Sequence, residues 1–430
     1  MTEPAQLSRR SLGAAALGAA VASSLAGTGS LGCASPRRRP GEVAFWFSYG
    51  GNNRKVLLEL VARFHREQSR VKVLPTFQGD YFEGLVKLRT GLFVGKTPTL
   101  THVVGEVVPY LEAAGVLEPL DAIGDEVASD LEPALSQWGT FEGADDVPLV
   151  ALPFNRSTPI AYVNRALFAE LGLAPPRTWS ELRDVAKRAG HGGDGATTRW
   201  GYECPIDWWF WSALVGQAGG ELIGKSGAVE LGGEAGVEAL ELWRTMVRTD
   251  RTMKPPPGRD YNAWEATNSD FLAGRAAMIW TSTAFLRYLE DNAPFPVLAA
   301  PLPAHRRLAV PTGGTFFVMP RGLEREERES GLTFLRWMMQ PEQANEWATR
   351  TGYLPISRRG RLELERAGFF EKHPNFLVAM EQLAHARRWP WQKELFRVQR
   401  EAVQPRLEAA VLGGAEPRAV LAEARNLEAG

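Results

Sequence analysis

From Glu42 onward the chain alternates short apolar runs with segments that are apolar on one helical face only, and that alternation leaves few folds open. Val43–Phe47 reads as a buried strand. Asn53–Gln68 follows with Val56, Leu57, Leu60, Val61 and Phe64 on one side of a helix. Val71–Phe77 reads as a second strand, Tyr81–Leu92 as a second helix, and His102–Val108 as a third strand or a strand end. This order predicts an α/β fold on a mainly parallel sheet. A second set begins with strands at Val147–Phe154 and Thr158–Asn164. Thr178-Trp179-Ser180-Glu181 has capping-box spacing and opens a helix to Arg188. Val237, Leu240, Trp243 and Val247 mark a further helix, and Ser330–Gln340 and Ala402–Asn426 two more. Ala276–Trp280 and Thr315–Met319 read as strands, and the polar, glycine-rich Gly190–Thr198 as a surface loop. At 430 residues, 44% of them hydrophobic, the chain suits two or three domains or one large two-lobed fold, and it is too apolar for wholesale disorder.

Residues 1–40 stand outside that pattern and read as a signal peptide and tether. Ser8-Arg9-Arg10-Ser11-Leu12 is a twin-arginine sequence, and the apolar run from Leu12 to Ala26 is shorter than the roughly 20 residues of a membrane-spanning helix. Ser30-Leu31-Gly32-Cys33 resembles a lipoprotein processing site, with Cys33 as the lipid attachment position. An exported protein is expected, periplasmic or at the cell surface, held to the membrane through Cys33 if that cysteine is acylated.

A formal net charge of −1 lacks the electrostatic footprint of a nucleic-acid binder. Two cysteines cannot form a disulfide framework or a cysteine-built zinc site. The six histidines are scattered, with no HExxH, and the pairs Gly50-Gly51 and Gly313-Gly314 make no phosphate loop. Neither a metal nor a cofactor is expected. Asp80 with Glu83, or Glu106 with a partner, has the chemistry of a glycosidase carboxylate pair, so an exported glycoside hydrolase stays open as an alternative.

The 14 tryptophans are the compositional excess. Trp208, Trp209 and Trp211 cannot all face one way on a helix, so at least one is expected to meet a cleft or solvent. Indole rings suit the apolar face of a sugar or polyol, or a choline head, while carboxylates such as Asp207 take hydroxyls. Glu106 lies among Val103, Val104, Val107 and Val108, where a charge is costly unless paired, so it is expected at a strand end facing a cleft. Asp80 reads first as a helix N-cap. Arg387-Arg388-Trp389-Pro390-Trp391 reads as a solvated loop or as the wall of an anion or sugar site.

Several longer strings resemble the solute-binding proteins of ABC importers, and within them the glycerol-3-phosphate-binding group. They are Leu152–Pro159 (LPFNRSTP), Phe271–Met278 (FLAGRAAM), Gly313–Pro320 (GGTFFVMP), Thr351–Ile356 (TGYLPI) and Gly368–Pro374 (GFFEKHP). The resemblance runs from about Val43 to Leu421. It implies a two-lobed, hinged α/β fold of the periplasmic-binding-protein kind (type II, maltose-binding-like). One lobe would comprise 41–152 and 316–350, the other 153–315 and 351–430, with the ligand between them.

Carried over by position, the resemblance assigns ligand contacts to Tyr81, Glu106, Ser157, Trp209, Gly314 and Tyr353, with a hydroxyl from Ser282 or Thr283. Trp208 takes the place of a second family tryptophan if its loop shifts; otherwise that place falls on Ile206. The family's phosphate-pairing arginine falls near Gln392, with Arg388 and Lys393 close by, and Asp80 and Asp207 are further candidates. Lysine does not replace a bidentate guanidinium. A choline phosphodiester or a neutral sugar therefore stands beside glycerol 3-phosphate as the expected solute. The implied protein is a monomer without catalysis that hands a polyol phosphate or sugar to a membrane permease. Trp208, Trp209, Trp211, Trp280, Trp389 and Trp391 are expected around the cleft, and Trp46, Trp179, Trp243, Trp337 and Trp347 in packing.

Overall fold

The computed structural model describes residues 39–193, 196–224 and 229–429; the twin-arginine sequence and Cys33 lie outside them. Two five-stranded sheets organise the chain. The first runs Lys72–Phe77, Glu42–Phe47, Leu100–Val104, Gly313–Val318, Leu152–Ser157. The second runs Met253–Lys254, Tyr202–Glu203, Met278–Ser282, Pro159–Asn164, Val297–Ala300. Each follows one scheme, with three parallel strands from one edge followed by two antiparallel ones. Leu152–Ser157 belongs to the first sheet and Pro159–Asn164 to the second, so the chain crosses at Thr158. It returns at Thr312, just before Gly313–Val318.

The helices form where the apolar stripe and caps place them. Gly51–Glu67 buries Val56, Leu57, Leu60, Val61 and Phe64. Asp80 caps Tyr81–Phe93 in a reciprocal box with Glu83, and Thr178 caps Trp179–Ala189 through the Glu181 amide. The apolar side chains form two cores divided by sheet face rather than by sheet. Val103, Phe316 and Val318 share one core with Ala161, Val163 and Trp280. Phe45 and Phe317 share the other with Ile160, Tyr162 and Ile279. Neighbours such as Phe316 and Phe317 therefore face opposite cores, as the period of two requires.

Three expectations change. The third strand stops at Val104, and Gly105–Val107 turns as a 3₁₀ helix into Val108–Ala113, with Pro109 in its first turn. Gly190–Thr198 is not a plain loop: His191–Gly193 pairs with Ala196–Arg199 as a hairpin. The tail is broken into a π-helical turn Val398–Val403 and helices Gln404–Val411 and Pro417–Ala429. Proline at 417 and the Gly413-Gly414 pair account for the last break.

Phe154, 1% exposed, lies between Phe317 at 4.1 Å and Trp347 at 4.8 Å, both nearly parallel to it. Because this stack joins the first crossing strand to the helix Pro341–Thr351, Phe154→Ala is expected to cost about 3–5 kcal/mol, measured by urea unfolding. A loss under about 1 kcal/mol would show that the ring does not hold the crossing strand.

Candidate functional site

The two crossings bring polar residues to the junction of the sheets. Leu152–Ser157 is buried along its whole length, yet it ends in Asn155, Arg156 and Ser157. Opposite it, Gly313 pairs with Ser157 and Gly314 with Arg156. Both glycines have steric reasons. A Cβ on Gly313 would come 2.6 Å from the Trp209 ring, and one on Gly314, at φ +91°, would come 1.7 Å from the Asn155 carbonyl oxygen.

On one side, Asn155 Nδ2 donates to the Tyr81 hydroxyl at 3.0 Å and to that of Tyr353 at 3.4 Å, and the two hydroxyls lie 3.1 Å apart. Thr315 Oγ1 donates to Asn155 Oδ1 at 2.7 Å. Burial holds both phenols in their neutral form by raising their pKa.

On the other side, Arg156 Nη2 donates to Thr140 Oγ1 at 3.2 Å and Thr312 Oγ1 at 3.1 Å, while the guanidinium lies 4.3 Å from the centre of the Phe316 ring. The Thr312 carbonyl accepts from two indoles, Trp209 Nε1 at 3.4 Å and Trp389 Nε1 at 3.0 Å. Trp264 stacks on Trp209 at 5.3 Å, and Trp389 meets Trp208 edge to face at 5.9 Å.

Two buried carboxyls complete the cluster. Glu106 is placed by the 3₁₀ turn after Val104, and Asp207 caps the helix Trp208–Gln217 by accepting from Trp209 N at 2.8 Å. Burial pushes Glu106 up to about 7; Arg156 works against this and Asp207 adds to it. Asp207 is also pushed up to about 7 by burial, opposed by the Trp209 amide, raised by Asp260 and lowered by Arg400. His102 is a packed residue: burial lowers it to about 3, and its neutral Nε2 accepts from Ser48 N.

Tyr81, Glu106, Ser157, Trp208, Trp209, Gly314, Tyr353 and Asp207 therefore come together. Several other candidates have their polar groups committed to neighbouring residues. Asp80 is used as a helix cap through Phe82 N and Glu83 N, both at 2.8 Å. The Ser282 hydroxyl accepts from Ala284 N, and Thr283 bonds to the backbone of Thr158. Arg388 turns its guanidinium to the Phe141 and Trp138 carbonyls and to Asp145. Lys393, 63% exposed at its side chain, faces Glu394. Arg388 and Gln392 instead line a groove of about 650 Å³ with Arg387, Trp389, Trp391 and Glu221. Trp211 and Trp280 are fully buried and belong to the core, the first on the helix Trp208–Gln217, buried at nine of its ten residues, and the second in the wholly buried strand Met278–Ser282. Asn155, Arg156, Thr312 and Trp264 escaped the sequence reading. The signal for the first two was a polar pair inside an otherwise strand-like apolar run.

The sequence profile of the bacterial extracellular solute-binding proteins matches residues 59–375. The chain belongs to that family. The sn-glycerol-3-phosphate-binding periplasmic protein UgpB of Yersinia pseudotuberculosis serotype I is 26% identical over 402 residues, 88% of this chain and 90% of its own. UgpB of Escherichia coli O1:K1 is 26% identical over 373 residues, 82% of this chain and 83% of its own. Among solved structures, UgpB from Mycobacterium tuberculosis in complex with glycerophosphocholine superposes with a TM-score of 0.78 at 23% identity, covering 90% of this chain and 97% of its own. Maltose-bound MalE3 of T. maritima gives 0.78 at 19%, covering 90% and 98%. The fold of this solute-binding protein is thus the two-lobed, maltose-binding-like one.

The Glu106 carboxyl gives a pH test. Its folded pKa lies above that of the unfolded chain, so its contribution is fully present below about pH 4.5 and is lost as pH rises through about 7. Between pH 5 and 8 the parent protein should lose stability relative to Glu106→Gln, by up to about 3 kcal/mol. Urea midpoints at the two pH values measure it; parallel curves for the two proteins would show that Glu106 does not titrate in this range.

Proposed function

We propose that this solute-binding protein is the substrate-binding component of an ABC importer, capturing a glycerol-phosphate derivative or a sugar between its lobes and delivering it to the permease. One observation carries the reading. Tyr81 and Glu106 from around the first sheet, and Asp207 and Trp209 beside the second, meet on the two crossing strands and are all largely buried. Side chains so placed bind a solute only if the lobes part and close again around it, which is capture by hinge motion. Indole and phenol rings, carboxyls and backbone amides suit a polyol or sugar.

The lobes proposed follow those read from the sequence, 41–152 with 316–350 and 153–315 with 351–430, except that the strands Leu152–Ser157 and Gly313–Val318 both lie in the first sheet, so the first two boundaries move to the crossings at Thr158 and Thr312. Work as a monomer, attachment through a lipid on Cys33 and the absence of catalysis belong to the same proposal. The relation to glycerol-3-phosphate binders, 26% identity over 82–88% of the chain, favours a glycerol-phosphate derivative over a plain sugar.

A thermal-shift series with glycerol 3-phosphate, glycerophosphocholine, maltose and trehalose is expected to raise the melting temperature with at least one ligand, since only the folded state binds it. Trp209→Ala should cut that affinity about tenfold or more while the protein stays folded. Hydrolysis of a glycan, abolished by Asp80→Asn or Glu106→Gln, would instead establish the glycosidase alternative.

A further inference from the structure

Arg156 is 1% exposed, and the protein leaves most of its donors unused. Nη2 is bonded to Thr140 and Thr312, but neither Nε nor Nη1 has a hydrogen-bond partner. Those two nitrogens carry three N–H bonds, because a guanidinium has five in all. Leaving cationic donors buried and unpartnered is among the more costly arrangements in a protein interior. Glu106 makes no hydrogen bond to these donors and acts on the guanidinium only through space, favouring its charged form against the desolvation that burial imposes. The Gly105 backbone packs beside Nη1: a Cβ there would come 3.5 Å from that nitrogen, an ordinary contact distance.

The cations nearby are committed elsewhere. Arg388 bonds to backbone carbonyls, Arg387 pairs with Glu221 at 3.0 Å, and Arg400 pairs with Asp260. The same junction holds Trp209, Tyr81 and Glu106, where the reading above puts the solute.

We propose that Arg156 is the anion anchor of this site, so that the solute is phosphate-bearing and its phosphate oxygens accept from Nε and Nη1. A single guanidinium matches the single negative charge of a phosphodiester, and charge-assisted bonds to phosphate are the strong kind. The flanking carboxyls do not forbid an anion there. Burial favours the neutral acid at both Glu106 and Asp207, and a neutral Glu106 can donate to a solute oxygen. The assignment rests on the solute-binding reading and narrows it.

The test compares the parent protein with Arg156→Lys by calorimetric titration of glycerol 3-phosphate, glycerophosphocholine, inorganic phosphate and maltose. The parent should bind at least one phosphate ligand, and Arg156→Lys should weaken that binding about ten- to a hundredfold, and more than it weakens any maltose binding. Unchanged phosphate affinity in a folded Arg156→Lys overturns the anchor. So does a parent protein that binds maltose alone, an outcome that leaves the solute-binding reading intact; failure to bind any ligand tested removes both. Should Arg156→Lys not fold, a crystal structure of the parent with its phosphate ligand decides. A phosphate farther than hydrogen-bond distance from Nε and Nη1 overturns the proposal.

Discussion

A guanidinium held out of water at the point where the chain passes between two sheets constrains everything around it. Arg156 cannot lie in a buried strand without help. Two threonine hydroxyls take one of its nitrogens, the Phe316 ring lies against its face, and Glu106 supplies a nearby carboxyl. Each helper then imposes its own requirement. Thr312 must stay where its carbonyl also accepts two indole N–H groups, and that fixes Trp209 and Trp389 against the second crossing strand. The Trp209 ring in turn permits only glycine at position 313.

The junction is therefore rigid in composition while joining two bodies that must move to admit a solute. Apart from the crossings, each lobe has its own sheet with the same scheme of three parallel and two antiparallel strands. The proposed solute site lies where the sheets meet, because there side chains from both lobes can surround one small molecule. Burial pushes both carboxyls at this junction, Glu106 and Asp207, toward neutrality, and Asp207 adds to the rise at Glu106.

Local features were legible where a single element decides them. Val56, Leu57, Leu60, Val61 and Phe64 do form one buried helix face, and Asp80 and Thr178 do cap helices, because periodicity and capping act within a few residues. The strand or strand end expected over His102–Val108 stops at Val104, where the central strand of the first sheet gives way to the 3₁₀ turn Gly105–Val107. Of the tryptophans expected around the cleft, Trp208, Trp209 and Trp389 reach the junction, whereas Trp211 and Trp280 pack in the core. Facing direction on a helix follows from sequence, but what covers each face does not.

The sequence by itself determined the alternating α/β order, the positions of the caps and the family resemblance carried by the LPFNRSTP and TGYLPI strings. These depend on residues close in the chain. Only the tertiary structure decided that Asn155 would join Tyr81 to Tyr353, that Arg388 would spend its donors on carbonyls, and that Arg156 would keep three of its own free. Hydrogen-bond accounting depends on partners up to nearly three hundred positions away, such as Tyr81 with Tyr353, 272 positions apart, and chain-local patterns carry no record of them.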